Sequence, residues 1–435
     1  GMSAPEGWGG HMSWDLLYRK GAFLRPGFTR VANLRSMLLP SWDALAAMAP
    51  SASKHTPRSI DWVLTPGMAF SGTRPTLFRE RNGWCPYSAR AWLALELLGI
   101  EYDTVRIDTS FNGRPASMTA ATPQIRWADG SLLSGSLDIL RELDRFPQST
   151  LWSVPGTEPC EIEALALAYH CIFPGSGRAC DGEPMRLSSS RAVFEDAIRQ
   201  TDELLARRPD GPFFCGRSLS AADVAWAPFL ERYAAWLPLL HPGLQMAGAE
   251  AAATSPHLFR WFEAMAALPP YTCRLRGDAA SWWKVLAFSP GWLVVANRGW
   301  KPPPLAATRP SANGVSGGAP RLGVRDSQWE EYAERRPHVG RCVGRETAAH
   351  LIRHREAVAR DACRGMGLGG DLAAVDSPLR ALVWLLADAS GADEAGARNT
   401  EGLRPLLAYL DERVCVPRDV GAPVAAALSQ LLVDV

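Results

Sequence analysis

Arg79-Glu80-Arg81-Asn82-Gly83-Trp84-Cys85-Pro86-Tyr87-Ser88 is the stretch that decides the fold. It lies between a strand-like segment, Thr76-Leu77-Phe78, and a helix-like segment from Ala89 to Leu98. A cysteine at the start of a helix meets free backbone N–H groups and the positive end of the helix dipole. Both favour the thiolate, which is the nucleophilic form of the side chain. The context therefore predicts a reactive Cys85, with Pro86 in the first helical turn.

The motif holds a single thiol, because Ser88 stands where a two-thiol redox motif carries its second cysteine. Cys85 alone forms a mixed disulfide but needs a small external thiol to resolve it. Ser88 is a candidate hydrogen-bond donor to the Cys85 thiolate. The alternative interpretation is a buried cysteine beside a helix-starting proline, and the strand-to-helix context favours the reactive one.

The residues that follow predict a small α/β unit. Tyr102 to Ile107 alternates like a second strand, and a third strand is expected over Thr122 to Ala128. A turn at Asp129-Gly130 leads to a short fourth strand and to a helix that begins at Ser136.

These segments resemble the thioredoxin-like domain of the glutathione transferases. The resemblance implies glutathione as co-substrate, a cis peptide bond at Pro123 facing Cys85, and glutathione contacts from Pro86, Thr122, Pro123 and Ser136. The family has an acidic or amide residue before that serine, whereas this chain has Gly135. We therefore expect weak glutathione binding, and we expect Gly135→Glu to tighten it where the backbone accepts a side chain.

Two further segments resemble the same family. Phe213 to Ala225 is similar to the capping segment of the all-helical transferase domain, with Ser220 and Asp223 forming a capping box. Tyr409 to Asp419 is similar to the C-terminal extension of the iota class, a group of cysteine-type transferases from photosynthetic organisms. The predicted fold is an α/β thioredoxin-like domain, an all-α transferase domain and a further all-α extension.

Composition restricts the function classes. The 46 basic and 45 acidic residues leave a formal charge of +1, which argues against a dedicated nucleic-acid binder. Nine cysteines at irregular spacing, with no Cys-x-x-Cys pair, predict neither a metal site nor a dithiol, and they suit a reducing compartment, chloroplast or cytoplasm. No segment is long and apolar enough to predict a transmembrane helix.

The organisation along the chain is predicted from changes in composition. We expect an extension over 1–73, whose basic stretch suits either targeting material or an ordered extension that wraps the domain. A thioredoxin-like unit is expected over 74–147 and a helical unit over 160–296. A linker over 301–323 should then lead to a helical region over 326–435 of unknown role. The last region is expected to fold separately, with few contacts to the rest and no catalytic groups. His350 and His354 lie one turn apart, but the neighbouring arginines favour a solvated basic face over a metal site.

The sequence thus predicts a cysteine-type glutathione transferase that reduces glutathione mixed disulfides or dehydroascorbate-like substrates through Cys85. The expected partners are glutathione and an apolar or glutathionylated small molecule; the oligomeric state stays open. The alternative is a non-catalytic binding or scaffolding protein that retains the transferase fold.

Overall fold

A computed structural model describes residues 39–48, 57–62, 72–108, 114–115, 118, 122–152, 191–288, 324–387, 397–398 and 400–435. The predicted linker 301–323 and most of the predicted extension 1–73 lie outside these residues. Within them, no helix combines the length and the apolar character needed to cross a membrane.

A five-stranded mixed sheet forms the first layer. Its strands are β1 (Ser59–Asp61), β2 (Thr76–Glu80), β3 (Asp103–Ile107), β4 (Gln124–Arg126) and β5 (Leu132–Ser134), in the order β1-β3-β2-β4-β5. The first three strands are parallel, and β4 and β5 are antiparallel to their neighbours. The thioredoxin-like prediction is confirmed, although β1 comes from the stretch that was predicted to be an extension.

Two helices pack on this sheet. α2 (Pro86–Leu97) and α3 (Ser136–Leu143) follow β2 and β5, whereas α1 (Trp42–Met48), from the N-terminal part, packs on helices of the C-terminal region. α2 is buried along most of its length and ends at Gly99, whose φ of 64° suits a residue without a side chain. It packs against α3 and α5, which places its N-terminus between the sheet and the helical layer.

The second layer is helical, as predicted. It comprises α4 (Arg191–Ala206), α5 (Ala221–Leu240), α6 (Ala249–Thr254), α7 (Pro256–Ala266), a π-helical turn (Tyr271–Leu275) and α8 (Ala279–Phe288). The predicted capping box starts α5, and the buried Asp223 carboxylate accepts from the backbone N–H groups of Ser220 and Phe214. It also accepts from the Trp261 indole, so the cap fixes α7 against α5.

The C-terminal region is helical as well. It contains α9 (Asp326–Glu334), α10 (Val343–Arg353), α11 (Arg355–Gly365), α12 (Ala373–Ala387), α13 (Leu403–Arg413) and α14 (Ala422–Asp434). The sequence predicts one helix over 347–363, and the structure divides that stretch at His354, whose φ and ψ are −112° and 13°. Neither proline nor glycine marks the break.

The expectation of few contacts between this region and the rest is wrong. Buried Cys273 belongs to a hydrophobic cluster whose other members, Trp329, Tyr332, Ala333, Val416, Val420, Ala422, Val424 and Ala425, come from 324–435. The Val416 N–H donates to Ser281 at 2.8 Å. Arg336 donates to both the carbonyl and the carboxylate of Glu96, at 2.8 and 3.0 Å. The C-terminal helices are therefore packed onto the sheet and the second helical layer.

We expect Arg336→Met to lower the free energy of unfolding by about 3 kcal/mol, because it leaves the Glu96 carboxylate, 9% exposed, without its cation. The neighbouring exposed Arg335 provides the matched control, and Arg335→Met should change stability by less than about 0.5 kcal/mol. Urea unfolding of both variants measures the difference. Equal stabilities would show that the ion pair contributes nothing across this interface.

Candidate active site

Cys85 lies at the N-cap of α2, half-buried, with Pro86 as the first helical residue. Its sulfur accepts a hydrogen bond from the backbone N–H of Ser88 at 3.4 Å. This is the contact that the helix-start prediction requires, because a free N–H of the first turn points at the sulfur. The geometry places the thiol where a thiolate is stabilised by the helix.

The residue that opens β4 faces the same sulfur. The Thr122 hydroxyl lies 3.9 Å from Cys85 Sγ, and the Thr122–Pro123 peptide bond is cis, as the family resemblance implies. Ser88 contacts the thiol through its backbone only, since its hydroxyl accepts from the Glu80 N–H at 3.4 Å instead. Ser88 therefore donates a hydrogen bond to the Cys85 thiol, but through its backbone N–H and not through its hydroxyl.

The loop before Cys85 is held by a buried carboxylate. Glu80 ends β2, and its carboxylate accepts from the backbone N–H groups of Asn82, of Trp84 at 2.8 Å and of Cys85 at 3.4 Å. Burial raises the pKa of Glu80, whereas these three donors lower it. A single side chain thus fixes the backbone from the end of the strand to the start of the helix.

Two buried arginines lie close enough to Cys85 to interact with its charge. The thiolate favours the protonated form of both guanidinium groups, opposing the burial that lowers the pKa of Arg232 and lowers that of Arg90 to about 10. Arg232 donates to the Trp84 carbonyl at 3.2 Å, and Arg90 donates to Ser136 Oγ at 3.3 Å. Positive charge in a site of low dielectric stabilises a thiolate.

Arg90 also connects the two halves of the predicted glutathione site. Ser136 is buried at the start of α3, and its hydroxyl accepts from the guanidinium that lies near Cys85. The N–H of Gly135 donates to the Pro123 carbonyl at 3.4 Å. The predicted residues therefore form one connected group at the edge formed by α2, β4 and α3.

The Gly135→Glu substitution that the sequence suggests is not a usable test of glutathione binding. The φ of Gly135 is 97°, a conformation that strains any residue with a side chain. A Cβ placed there would lie 2.5 Å from Oδ2 of the exposed Asp138. Asp138 therefore fills the space that the missing side chain leaves, and Gly135→Glu is expected to destabilise the start of α3 rather than to tighten glutathione binding.

Cys85 is not the only cysteine at a helix start. Cys342, an exposed residue, is the N-cap of α10, where its side chain makes no capping hydrogen bond. The sequence does not reveal it, because the predicted helix began at Thr347. Cys273 is buried, and its burial raises the pKa of the thiol to about 12. The cysteines at 160, 171 and 180 lie outside the described residues.

We expect Cys85 to be alkylated faster at neutral pH than Cys342, and Cys342 faster than Cys273. Cys85 combines a sulfur-directed N–H with two nearby cations, Cys342 has exposure alone, and Cys273 is protonated and buried. Iodoacetamide labelling for increasing times, with mass-spectrometric assignment of each cysteine, gives the order. Labelling of Cys342 ahead of Cys85 would contradict the electrostatic explanation.

Within the part of the chain that the structure describes, no three His, Cys, Asp or Glu side chains are grouped as metal ligands.

Sequence reasoning missed Glu80, Arg90 and Arg232. The signal available was a charged residue in an apolar helix: Arg90 lies within Ala89-Arg90-Ala91-Trp92, and Arg232 lies within the largely apolar α5. Charged residues that are almost fully buried are rare unless they are paired or functional.

Two family models match the chain. Residues 84–145 match the glutathione S-transferase N-terminal domain, and residues 184–264 match the glutathione S-transferase C-terminal domain. Neither match reaches the helices of 324–435. The matches support a place in the glutathione transferase family and agree with the two layers of the fold.

The similar proteins include plant transferases at low identity. The chain is 24% identical to glutathione S-transferase L2, chloroplastic, of Arabidopsis thaliana over 194 residues, which is 43% of this chain and 62% of that protein. It is 26% identical to protein IN2-1 of Zea mays over 198 residues, covering 43% and 77% of the two chains. A solved dehydroascorbate reductase of Chlamydomonas reinhardtii matches 52% of this chain and 99% of its own at 20% identity, with a TM-score of 0.33.

Proposed function

We propose that this chain, with the two domains of a glutathione transferase, is a cysteine-type enzyme that reduces glutathione mixed disulfides through Cys85. The observation that carries the proposal is the hydrogen bond from the Ser88 N–H to Cys85 Sγ, beside the threonine that precedes a cis proline. A thiolate at this position is a nucleophile rather than a base for bound glutathione. A reduction through a covalent intermediate therefore suits the site better than a simple conjugation.

The proposed reaction has two displacements. The Cys85 thiolate attacks the glutathionyl sulfur of a substrate disulfide, so that the Cys85–glutathione disulfide forms and the substrate leaves as its thiolate. A glutathione thiolate then attacks the glutathionyl sulfur, which restores the Cys85 thiolate and releases glutathione disulfide. The net result is that one glutathione thiol is consumed: the mixed disulfide and glutathione become the substrate thiol and glutathione disulfide. Arg90 and Arg232 stabilise the thiolate that is consumed and regenerated.

The positions of the predicted binding residues support glutathione as the co-substrate. Thr122 offers its backbone for pairing with the cysteinyl part, in the way that an added strand pairs with a sheet edge. Ser136, at the N-terminus of α3, lies where a carboxylate of glutathione is favoured. The apolar part of a second substrate would lie beside Tyr87, which packs on Phe229 of the helical layer.

The finer class is also a proposal. The Arg-Asn-Gly-Trp-Cys-Pro-Tyr approach and the 409–419 segment support the iota class. The two segments lie next to each other, because a Cβ on Gly83 would stand 3.3 Å from the Arg418 Cα. A chloroplast location agrees with that class and with the name of the chloroplastic Arabidopsis relative.

Trapping of the intermediate tests the proposal. The reduced protein is mixed with oxidised glutathione, quenched in acid and digested without reductant. We expect one glutathionyl group on Cys85 and its removal by added glutathione. The same experiment on Cys342→Ser should give the same product, because Cys342 has no role in the reaction.

The scaffold alternative predicts a different result. A protein that binds glutathione but does not react with it would show glutathione binding in a calorimetric titration. It would carry no glutathionyl group on Cys85 after the trapping experiment. Modification at Cys342 alone would likewise overturn the assignment of the nucleophile.

A further inference from the structure

A cleft of about 1030 Å³ lies between the sheet and the C-terminal helices. Its walls come from β1, β2 and β3, from the loop 81–84, from the C-terminal end of α2, and from α9, α10, α11, α14 and the segment that follows α13. Cys85, Thr122, Pro123 and Ser136 are absent from its lining. The cleft thus reaches the loop before Cys85 but does not include the residues of the proposed glutathione site.

The described walls of the cleft carry an excess of positive charge. Eleven arginines and seven carboxylates line it. Several arginines are neutralised locally, as Arg336 is by Glu96 and Arg418 by Asp419, at 3.0 and 2.6 Å. The excess comes from the arginines that have no such partner.

Three of these arginines converge without a carboxylate partner among the described residues: Arg79, Arg106 and Arg274. Arg79 is 2% exposed, and the Nε atoms of Arg79 and Arg106 are buried without any hydrogen-bond acceptor. Burial and repulsion from Arg106 and Arg274 together lower the pKa of Arg79 to about 9, although Glu80 opposes the shift. A buried donor that bonds to nothing costs about 1–3 kcal/mol, so the cluster lacks an acceptor.

Neighbouring rings hold the cluster in place. Glu80 attracts Arg79, and Asp61 and Asp419 attract Arg106, but the latter two carboxylates already pair with Arg81 and Arg418. The guanidinium groups of Arg79 and Arg274 lie 4.2 and 4.5 Å from the ring centre of Trp92, which fixes their planes. His350 lines the same cleft, and its pKa is lowered to about 3 by burial and by His354 and Arg353. Burial is the main cause, and the nearby cations, Arg274 among them, add to it.

We propose that this cleft binds a small molecule that carries phosphate or carboxylate groups, which the unpaired arginines Arg79, Arg106 and Arg274 recognise. The planar guanidinium fork matches the oxygens of either anion. The volume suits a molecule larger than a single phosphate, since ligand pockets typically measure about 300–1,000 Å³. Because the cleft joins the transferase core to 324–435, its ligand would bind both parts at once.

Calorimetric titration of the full chain with inorganic pyrophosphate and, separately, with citrate tests the proposal and distinguishes the two anions. We expect submillimolar binding of at least one anion, weakened about tenfold or more by Arg106→Gln and by Arg274→Gln. Arg360→Gln is the control, because Arg360 is exposed on α11 and pairs with Glu356 outside the cleft. Circular dichroism checks that each variant is folded. The two arginine variants are used together so that a local structural defect in one of them does not decide the result.

Three results would overturn the proposal. The first is that neither anion binds with a dissociation constant below about 10 mM. The second is that the Arg106→Gln and Arg274→Gln variants bind the anion as tightly as the unaltered chain does. The third is that saturating glutathione displaces the anion, which would assign the binding to the glutathione site.

Discussion

Replacement of Cys85 by serine is expected to lower the turnover of a glutathionylated peptide by about 10³-fold or more, because the attacking thiolate is lost. A serine hydroxyl stays protonated at neutral pH, and among the described residues no imidazole or carboxylate is hydrogen-bonded to Cys85 Sγ to activate it. The Ser88 N–H and the nearby arginines would remain, yet they stabilise an anion that serine does not form. Steady-state release of glutathione disulfide, coupled to its reduction, measures the effect.

Cys342→Ser is the matched control for this experiment. It replaces another N-cap cysteine with the same residue, on a helix remote in sequence from the site, and should keep full turnover. Far-ultraviolet circular dichroism of both variants separates lost chemistry from lost fold. A Cys85→Ser variant that is folded and retains more than about a tenth of the turnover would remove Cys85 from the mechanism.

The sequence predicts the neighbourhood of Cys85 well because its determinants are local. A strand, a tight loop and a proline-started helix follow each other over Thr76–Leu97, and each has its own short-range signal. The same holds for the capping box at Ser220 and Asp223, where the two partners are three residues apart.

Features that depend on distant residues could not be predicted in this way. β1 is three residues long and exists through its pairing with β3, more than 40 positions along the chain. Arg232 reaches the Trp84 carbonyl across the interface between the two layers, over 148 positions. No window of sequence contains both members of such a pair, so the electrostatic surroundings of Cys85 emerge only in the folded chain.

The C-terminal region shows the same limit. The composition of 301–323 suggested a linker and hence a separate domain, but composition says nothing about the surface that the following helices cover. Gly421 approaches so close to the Cys273 carbonyl that a Cβ there would overlap it, and the Arg274 guanidinium donates to the Pro417 carbonyl at 3.2 Å. These contacts join the π-helical turn to the segment between α13 and α14.

A chain truncated at Arg309 is therefore expected to be less stable by on the order of 5 kcal/mol, a large part of the stability of an ordinary protein. Truncation would expose Cys273 and its surroundings, free the Ser281 hydroxyl from the Val416 N–H and leave Glu96 without Arg336. Each buried polar group that loses its partner costs about 1–3 kcal/mol unless water reaches it. The expected result is a lower midpoint of thermal unfolding, together with lower solubility.

Turnover should fall with stability, because the segment around Arg418 packs against Gly83 in the loop that Glu80 holds before Cys85. Loss of that support would loosen the loop and the N-terminus of α2 without removing any residue proposed to act on the substrate. Addition of a separately produced 324–435 piece should then restore part of the turnover, since the contacts it makes are not covalent. A truncated chain that unfolds at the same temperature as the full chain and keeps its turnover would instead establish 324–435 as the independent domain that its sequence suggested.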